Sequence, residues 1–288
     1  MKRIYAIAST LSLYISMAFG QATPGKIVFA NETNDTTRIT ELLIKATSTG
    51  SPRTTPQAYL AMISEDFAGT PYKTGTLEGD EEMLRINLDG MDCTTFVENM
   101  IALALTAGEG RTSWRDFTFN LERLRYRGGT MNGYASRLHY ISDWALDNST
   151  LGLLKEVTDR VGVTNRMVKS LDWITSHRND YPALSDEATF TAMKDVENGF
   201  HGHLMQYIKS SNVGGAQLTD GDIVALVSKK EGLDVSHIGI VKMIKGKAHL
   251  VHASSAAGKV VVEQKPLADY LRRRQDVAGI RVFRLVAN

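Results

Sequence analysis

Residues 91–106 read MDCTTFVENMIALALT, and this run holds the only cysteine of the chain, Cys93. From Cys93 onward, Phe96, Val97, Met100, Ile101 and Ala104 recur at helical spacing, while Leu103 and Leu105 widen the apolar stripe well beyond one face. A helix that is apolar over most of its circumference belongs in the middle of a domain. The spacing therefore predicts a central helix from Cys93 to Ala107, ended by Gly108. A thiol at its start lies at the positive end of the helix dipole, beside backbone N–H groups with no intrahelical acceptor. That placement favours thiolate and brings the pKa below its free value of about 8.5. The same amides can hold a developing oxyanion. Asp92 opposes thiolate formation unless it turns away as a helix cap or toward a substrate group.

Upstream, Lys2 and Arg3 precede an apolar segment from Ile4 to Phe19, with small residues Ala18 and Gly20 where a signal peptidase reads. This is the pattern of a cleaved secretory signal, residues 1–20, with the mature chain 21–288 starting at Gln21 and forming a single catalytic domain. The apolar run is too short to span a bilayer, which takes about 20 residues. Removing residues 1–20 takes away two positive charges and no negative one, so the formal net charge moves from +1 to −1. A near-neutral protein gives no support to nucleic-acid or anionic-membrane binding. With 43% hydrophobic and 23% charged residues, the composition is that of a globular chain able to bury a core without disulfides. A single cysteine has no internal partner, so in an exported protein it is either apolar filler or a working thiol.

Residues 21–34 read as loose and polar. A short helix is expected from Thr36 to Ala46 with Asp35 at its N-cap, a second from Pro56 to Phe67, and a loop over GTPYKTGTLEGD. SWRDFTFNLERLRY places Ser113 and Asp116 at capping-box spacing, and ASRLHYISDWALD reads as a further helix. Little is decided between Leu151 and Lys209. The last third consists of short β-branched runs, DIVALVS, HIGIVKMI, AHLVHAS, KVVVEQ and IRVFRLVA, expected as consecutive strands of an antiparallel sheet. Helices first and strands afterwards give a segregated α+β fold.

A cysteine nucleophile needs a histidine that is close in space and usually distant in sequence. His237 opens one strand and His252 closes the next, and two antiparallel strands joined at the KGK turn bring such ends side by side. His249 and His252 face opposite sides of their strand, so only one of them can meet His237. The HGH at 201–203 lacks a third zinc ligand at recognisable spacing. RRR at 272–274 is an exposed basic stretch. No Gly-x-Ser-x-Gly elbow occurs.

Taken in order, GTPYKTGTLE, MDCTTFVENMIALAL, LTDGDIVAL, SHIGIV and LVHASS resemble the papain-like NlpC cell-wall hydrolase superfamily, and within it the N-acetylmuramoyl-L-alanine amidase-like branch. The resemblance spans roughly residues 55–285. It implies a papain-like α+β fold in which the helix carrying the nucleophile packs on a C-terminal antiparallel sheet carrying the histidines, with additional helices and an insertion between cysteine and histidine. It implies Cys93 as nucleophile, His237 as general base and acid, and His252 as the group that orients the His237 ring. Tyr72 matches a cleft-lining position, and Asp92 and Thr94 flank the nucleophile where related enzymes hold the peptide. Where relatives outside the branch have Asp-Cys-Ser-Gly, this chain has Asp-Cys-Thr-Thr. The insertion block YASRLHYISDW resembles one of the amidase-like branch, and within it Arg137 and His139, taken as helical, are candidates to reach a sugar or peptide group. Ser236, just before His237, completes the substrate-side set.

The implied reaction is hydrolysis of the amide between the muramic acid lactyl group and L-alanine, on small peptidoglycan fragments such as 1,6-anhydro-muropeptides. No metal or cofactor is required. The alternatives are cleavage between D-glutamate and the diamino acid, and a peptidoglycan binder that has lost catalysis. The expected location is periplasmic or extracellular, with no membrane anchor after signal cleavage.

Overall fold

A computed structural model describes residues 26–48 and 55–286. The expected signal at 1–20 lies outside them. The helices are α1 (Glu32–Ser48), α2 (Pro56–Glu65), α3 (Cys93–Gly108), α4 (Trp114–Arg125), α5 (Ile141–Thr150), α6 (Thr158–Val161), α7 (Trp173–Ser176), α8 (Glu187–Asn198) and α9 (Leu267–Leu271). The strands are β1 (Ile27–Phe29), β2 (Leu84–Ile86), β3 (Leu154–Glu156), β4 (Thr164–Lys169), β5 (His203–Lys209), β6 (Ile223–Ser228), β7 (Val235–Ile244), β8 (Lys247–Ser254), β9 (Lys259–Val262) and β10 (Val277–Leu285).

The central helix is where the sequence puts it. Every residue of α3 from Thr95 to Ala107 is buried, with α1, α2 and α4 packed against it on one side and β7 and β8 on another. Several of its buried polar side chains are paired within the protein. Glu98 accepts from Arg125 Nε at 2.7 Å, Thr106 Oγ1 donates to the Ala102 carbonyl at 2.7 Å, and Asn120 Nδ2 donates to Thr106 Oγ1 at 3.0 Å. Without these bonds each group would carry the cost of an unpaired buried dipole. Gly108 is the last residue of the helix, but not as a left-handed cap. A Cβ there would lie 2.7 Å from Pro56 Cγ, so the glycine lets the end of α3 close against the start of α2, and the chain reverses at Gly110, with φ +70°.

The sheet is antiparallel throughout, in the order β4-β5-β10-β6-β7-β8-β9, with β3 added to β10. This confirms a mixed α+β architecture and corrects the expected order of the strands. β6 to β9 follow one another, but β10 returns to pair with β6, Arg281 opposite Ala225, and its other edge takes β5. The undecided region supplies that edge through β4 and β5.

Three helix expectations are also corrected. α1 starts at Glu32 because Asn31 Oδ1 accepts from Asn34 N at 3.2 Å and serves as its cap, and β1, paired in parallel with β2, occupies part of the stretch read as loose. Asp35 is a buried residue inside the helix, holding the amides of Asn31 and Leu88 at 3.2 and 3.3 Å. Asp116 forms no capping box and pairs with Arg111 at 2.8 Å, while Ser113 alone caps α4. The ASRLHYISDWALD block is helical only from Ile141, so Arg137 and His139 stand on an extended segment after the short turn Tyr134–Ser136.

Because Leu103 has no exposed surface, Leu103→Ala is expected to cost about 2–5 kcal/mol of stability, read from the shift in denaturant midpoint at unchanged m-value.

Candidate functional site

Asp92 caps α3: its Oδ1 accepts from Thr95 N at 2.8 Å and from Thr95 Oγ1 at 2.9 Å, while Thr95 Oγ1 accepts from Asp92 N at 3.0 Å. This reciprocal box pins the first turn and turns the carboxylate to a structural task. Asp92, expected among the substrate-side residues, thus has its Oδ1 engaged at the helix end. Cys93 follows as the first helical residue and is only partly exposed. The backbone N–H of Ile238, one residue past His237, and the Thr94 hydroxyl lie near its sulfur and favour its charged form.

The strand carrying His237 is irregular at this point. Along β6, His237 opposes Leu226 and Val235 opposes Val227, which leaves Ser236 as a bulged extra residue. On the other edge, the β7–β8 pairing stops at Ile240 opposite Val251, and β8 carries His252 on toward β9. The two imidazoles meet across that opening: His237 Nε2 lies 2.6 Å from His252 Nδ1, with the rings at 86°. His249, on the other side of β8, bonds the Glu263 carbonyl at 2.8 Å. A Cβ at position 239 would stand 2.8 Å from Leu250 Cδ1 and 3.0 Å from His252 Cβ, so Gly239 is what admits the second histidine.

Cys93, Thr94, His139, Ile141 and the segment Leu233 to Ile238 line one cleft of about 90 Å³. Of the substrate-side candidates, Thr94, His139 and Ser236 line it. Tyr72 stands close to Cys93 and Asp92, and burial with these two neighbours pushes its hydroxyl up to about 12. Arg137 does not reach the cleft. It is buried, donating to Glu78 at 2.9 Å and to the Leu77 carbonyl at 3.2 Å, with Glu82 3.6 Å away, and so clamps the loop that follows Tyr72. The sequence reading missed Asp234. Its buried carboxylate accepts from Ser142 N at 2.6 Å, so it caps α5 from a distant strand and ties the β7 wall of the cleft to the helix opposite. An aspartate next to a strand gives no sign of such a contact. His201 bonds Ser170 at 3.2 Å and His203 belongs to β5, and no group of three His, Cys, Asp or Glu suited to a metal occurs among the described residues.

The electrostatics overturn one expectation. Burial pushes the Cys93 thiol up to about 11, Asp92 adding to the rise, and the donors from Ile238, Thr94 and its own amide offset this only in part. Burial likewise pushes His237 down to about 3, reinforced by His252 and Arg274, and His252 down to about 4 against the pull of Glu263. At neutral pH the resting site therefore holds a neutral thiol beside neutral imidazoles. The first-turn amides do not win because desolvation of an anion outweighs a helix end whose influence fades within one turn.

This is an α+β protein in which a polar cleft joins the start of a buried helix to a histidine pair on an antiparallel sheet. Residues 62–280 match the AmiA-like model, and the chain belongs to the N-acetylmuramoyl-L-alanine amidase-like family of peptidoglycan hydrolases. It resembles an N-acetylmuramoyl-L-alanine amidase from Bacteroides uniformis, at 36% identity and a TM-score of 0.75, covering 79% of this chain and 98% of that one. A Bacteroides fragilis protein whose name suggests a xylanase is 42% identical, with a TM-score of 0.72 over 77% of this chain and 98% of its own. A Legionella pneumophila protein at 24% identity shares the fold, with a TM-score of 0.67 over 88% and 95% of the two chains. Among curated proteins, none matches the chain.

Two measurements probe the site. With the thiol at about 11, less than about 1% of Cys93 is ionised at pH 8.5, so thiolate absorbance near 240 nm should rise only above that pH. A plateau already present at pH 6 would refute the neutral pair. Gly239→Ala should move His252 off His237, and the downfield imidazole N–H resonance of the pair should vanish from the proton spectrum.

Proposed function

We propose that this chain is an exported cysteine amidase that cleaves the bond between the muramic acid lactyl carbonyl and L-alanine in peptidoglycan fragments. The observation that carries this reading is the meeting of Cys93 and the His237–His252 pair at one cleft. Family membership and the Bacteroides uniformis amidase supply the substrate class. The NlpC-type, papain-like description rests on the order of the motifs and on the helix-to-sheet placement of thiol and imidazole. Residues 21–288 act as one catalytic domain after removal of 1–20, which places the enzyme where peptidoglycan lies, outside the cytoplasmic membrane.

The contacts of the histidine pair set the roles. Glu263 Oε2 stands 3.7 Å from His252 Nε2, which favours the proton on that nitrogen and leaves Nδ1 as acceptor. His237 then donates from Nε2 to His252 and keeps a bare Nδ1 lone pair as the base. Starting from a neutral pair, Nδ1 takes the thiol proton as sulfur attacks the lactyl carbonyl, so thiolate forms only as the C–S bond does. The Cys93 and Thr94 amides, at the first two positions of α3 where no intrahelical acceptor exists, are the oxyanion donors. His237 returns the proton to the leaving nitrogen of L-alanine. Water, deprotonated by the same ring, then releases the acyl group and restores the thiol. His252 orients His237 throughout. Tyr72, Thr94 and Ser236 bound the substrate.

A glycosidase of the usual two-carboxylate kind needs a pair of carboxyl groups about the scissile bond. The described residues lining this cleft include a single carboxylate, Asp234, which is engaged as the cap of α5.

Incubation of mature protein with defined muropeptides, with and without chelator, should give free peptide beginning at L-alanine, detected by mass and indifferent to the chelator. Cys93→Ala should lower the rate by about 10⁴-fold or more, and His237→Ala by about 10²–10⁴-fold. Release at the diamino acid would make the enzyme an endopeptidase, and binding without cleavage would make it a peptidoglycan binder. Amino-terminal sequencing of the exported protein should begin at Gln21.

A further inference from the structure

The cleft contains a second histidine whose hydrogen-bonding state is fixed by the fold. His139 Nε2 lies 3.0 Å from the Tyr134 carbonyl oxygen. A carbonyl oxygen only accepts, so the ring proton sits on Nε2 and Nδ1 is left as a bare lone pair. Burial, followed by the nearby Arg137 guanidinium, pushes this ring down to about 3, so it takes up no second proton at neutral pH. Among the described residues Nδ1 has no hydrogen-bond partner, and it is not among the polar atoms sealed from solvent, as Nε2 of His203 is. The ring is also held in place. It packs on the Tyr134 ring with centroids 4.5 Å apart, and the guanidinium of Arg137, anchored by Glu78, lies 4.8 Å from the same tyrosine ring. A rigid acceptor that can neither rotate nor protonate, beside Cys93 and Thr94, has the properties of a reader of hydrogen-bond donors.

We propose that His139 Nδ1 is a fixed acceptor for one amide N–H of the bound substrate, either in the peptide stem or in the N-acetyl group of the sugar. This rests on the reading of the cleft as the site of an amide-rich muropeptide. It gives the two histidines that line the cleft different tasks: His237 moves the proton of the thiol, and His139 selects what is presented to it. Arg137 acts through Tyr134 and the ring contact and is a positioning residue. An analogue lacking the donor leaves the acceptor desolvated and unpaired, which weakens binding by about 10- to 100-fold.

The test uses the full mature chain carrying Cys93→Ala, so that binding is read without turnover. Muropeptides in which one amide N–H at a time is replaced by an ester oxygen are titrated by calorimetry alongside the parent compound. One analogue should bind about 10- to 100-fold more weakly than the parent. Adding His139→Gln, which keeps a donor for the Tyr134 carbonyl but puts no acceptor at the Nδ1 position, should erase that preference. His139→Asn, whose Oδ1 falls near the Nδ1 position, should retain it. No preference in the Cys93→Ala protein, or a preference that survives His139→Gln, overturns the proposal. In chains that keep Cys93, iodoacetamide should alkylate the thiol of His139→Gln at the wild-type rate, and a fall as large as that of His237→Ala would instead make His139 the base of the thiol. Cleavage at a different bond would overturn the amidase reading alone, because the calorimetry reports on His139 whichever bond is cut.

Discussion

The architecture depends on one constraint, the enclosure of α3. A helix that is buried around its whole circumference has no face to show to water, so helices must cover one side and the sheet the other. Only its ends can meet solvent. The first residue of that helix is Cys93, and the cleft opens there, where the end of the buried helix meets the β7 strand and solvent. The capping box of Asp92 and Thr95 makes this end rigid, and it also explains why a carboxylate next to a thiol is tolerated.

The same enclosure sets the chemistry of the resting state. Taking Cys93, His237 and His252 out of water disfavours every charged form at once, raising the thiol and lowering both imidazoles. A site of this kind stores no ion pair. It keeps a proton on sulfur, and the short contact with His252 fixes the direction of the His237 ring.

The walls of the cleft are stitched by charged groups that bond within the protein. Asp234 links β7 to the start of α5, Arg137 links the segment before α5 to the loop after Tyr72, and Arg125 runs from Glu98 of α3 to the carbonyl of Arg85 at 2.7 Å. Arg125 and Asp234 are almost completely buried, and such groups persist only when their partners are already in place. They convert loops into fixed surfaces, and Arg137, through Tyr134, supports the orientation of His139.

The sequence by itself determined the features that rest on local pattern. Apolar residues recurring around α3, the β-branched runs of β6 to β8, the turn between β7 and β8, and the parity that separates His249 from His252 all follow from local residue pattern. These alone placed Cys93 at a helix start and put His237 beside His252. Tertiary structure decided whatever depended on distant partners. β10 turned back into the sheet, and β4 and β5, with mixed patterns at an edge, joined it. Asp35 became an interior residue instead of a cap, Arg137 a clamp instead of a substrate ligand, and Asp234 a helix cap reached across 92 positions of chain. The direction of the Cys93 shift belongs to the same group, because a helix dipole can be read from neighbours in sequence, whereas loss of water depends on everything that packs around the atom.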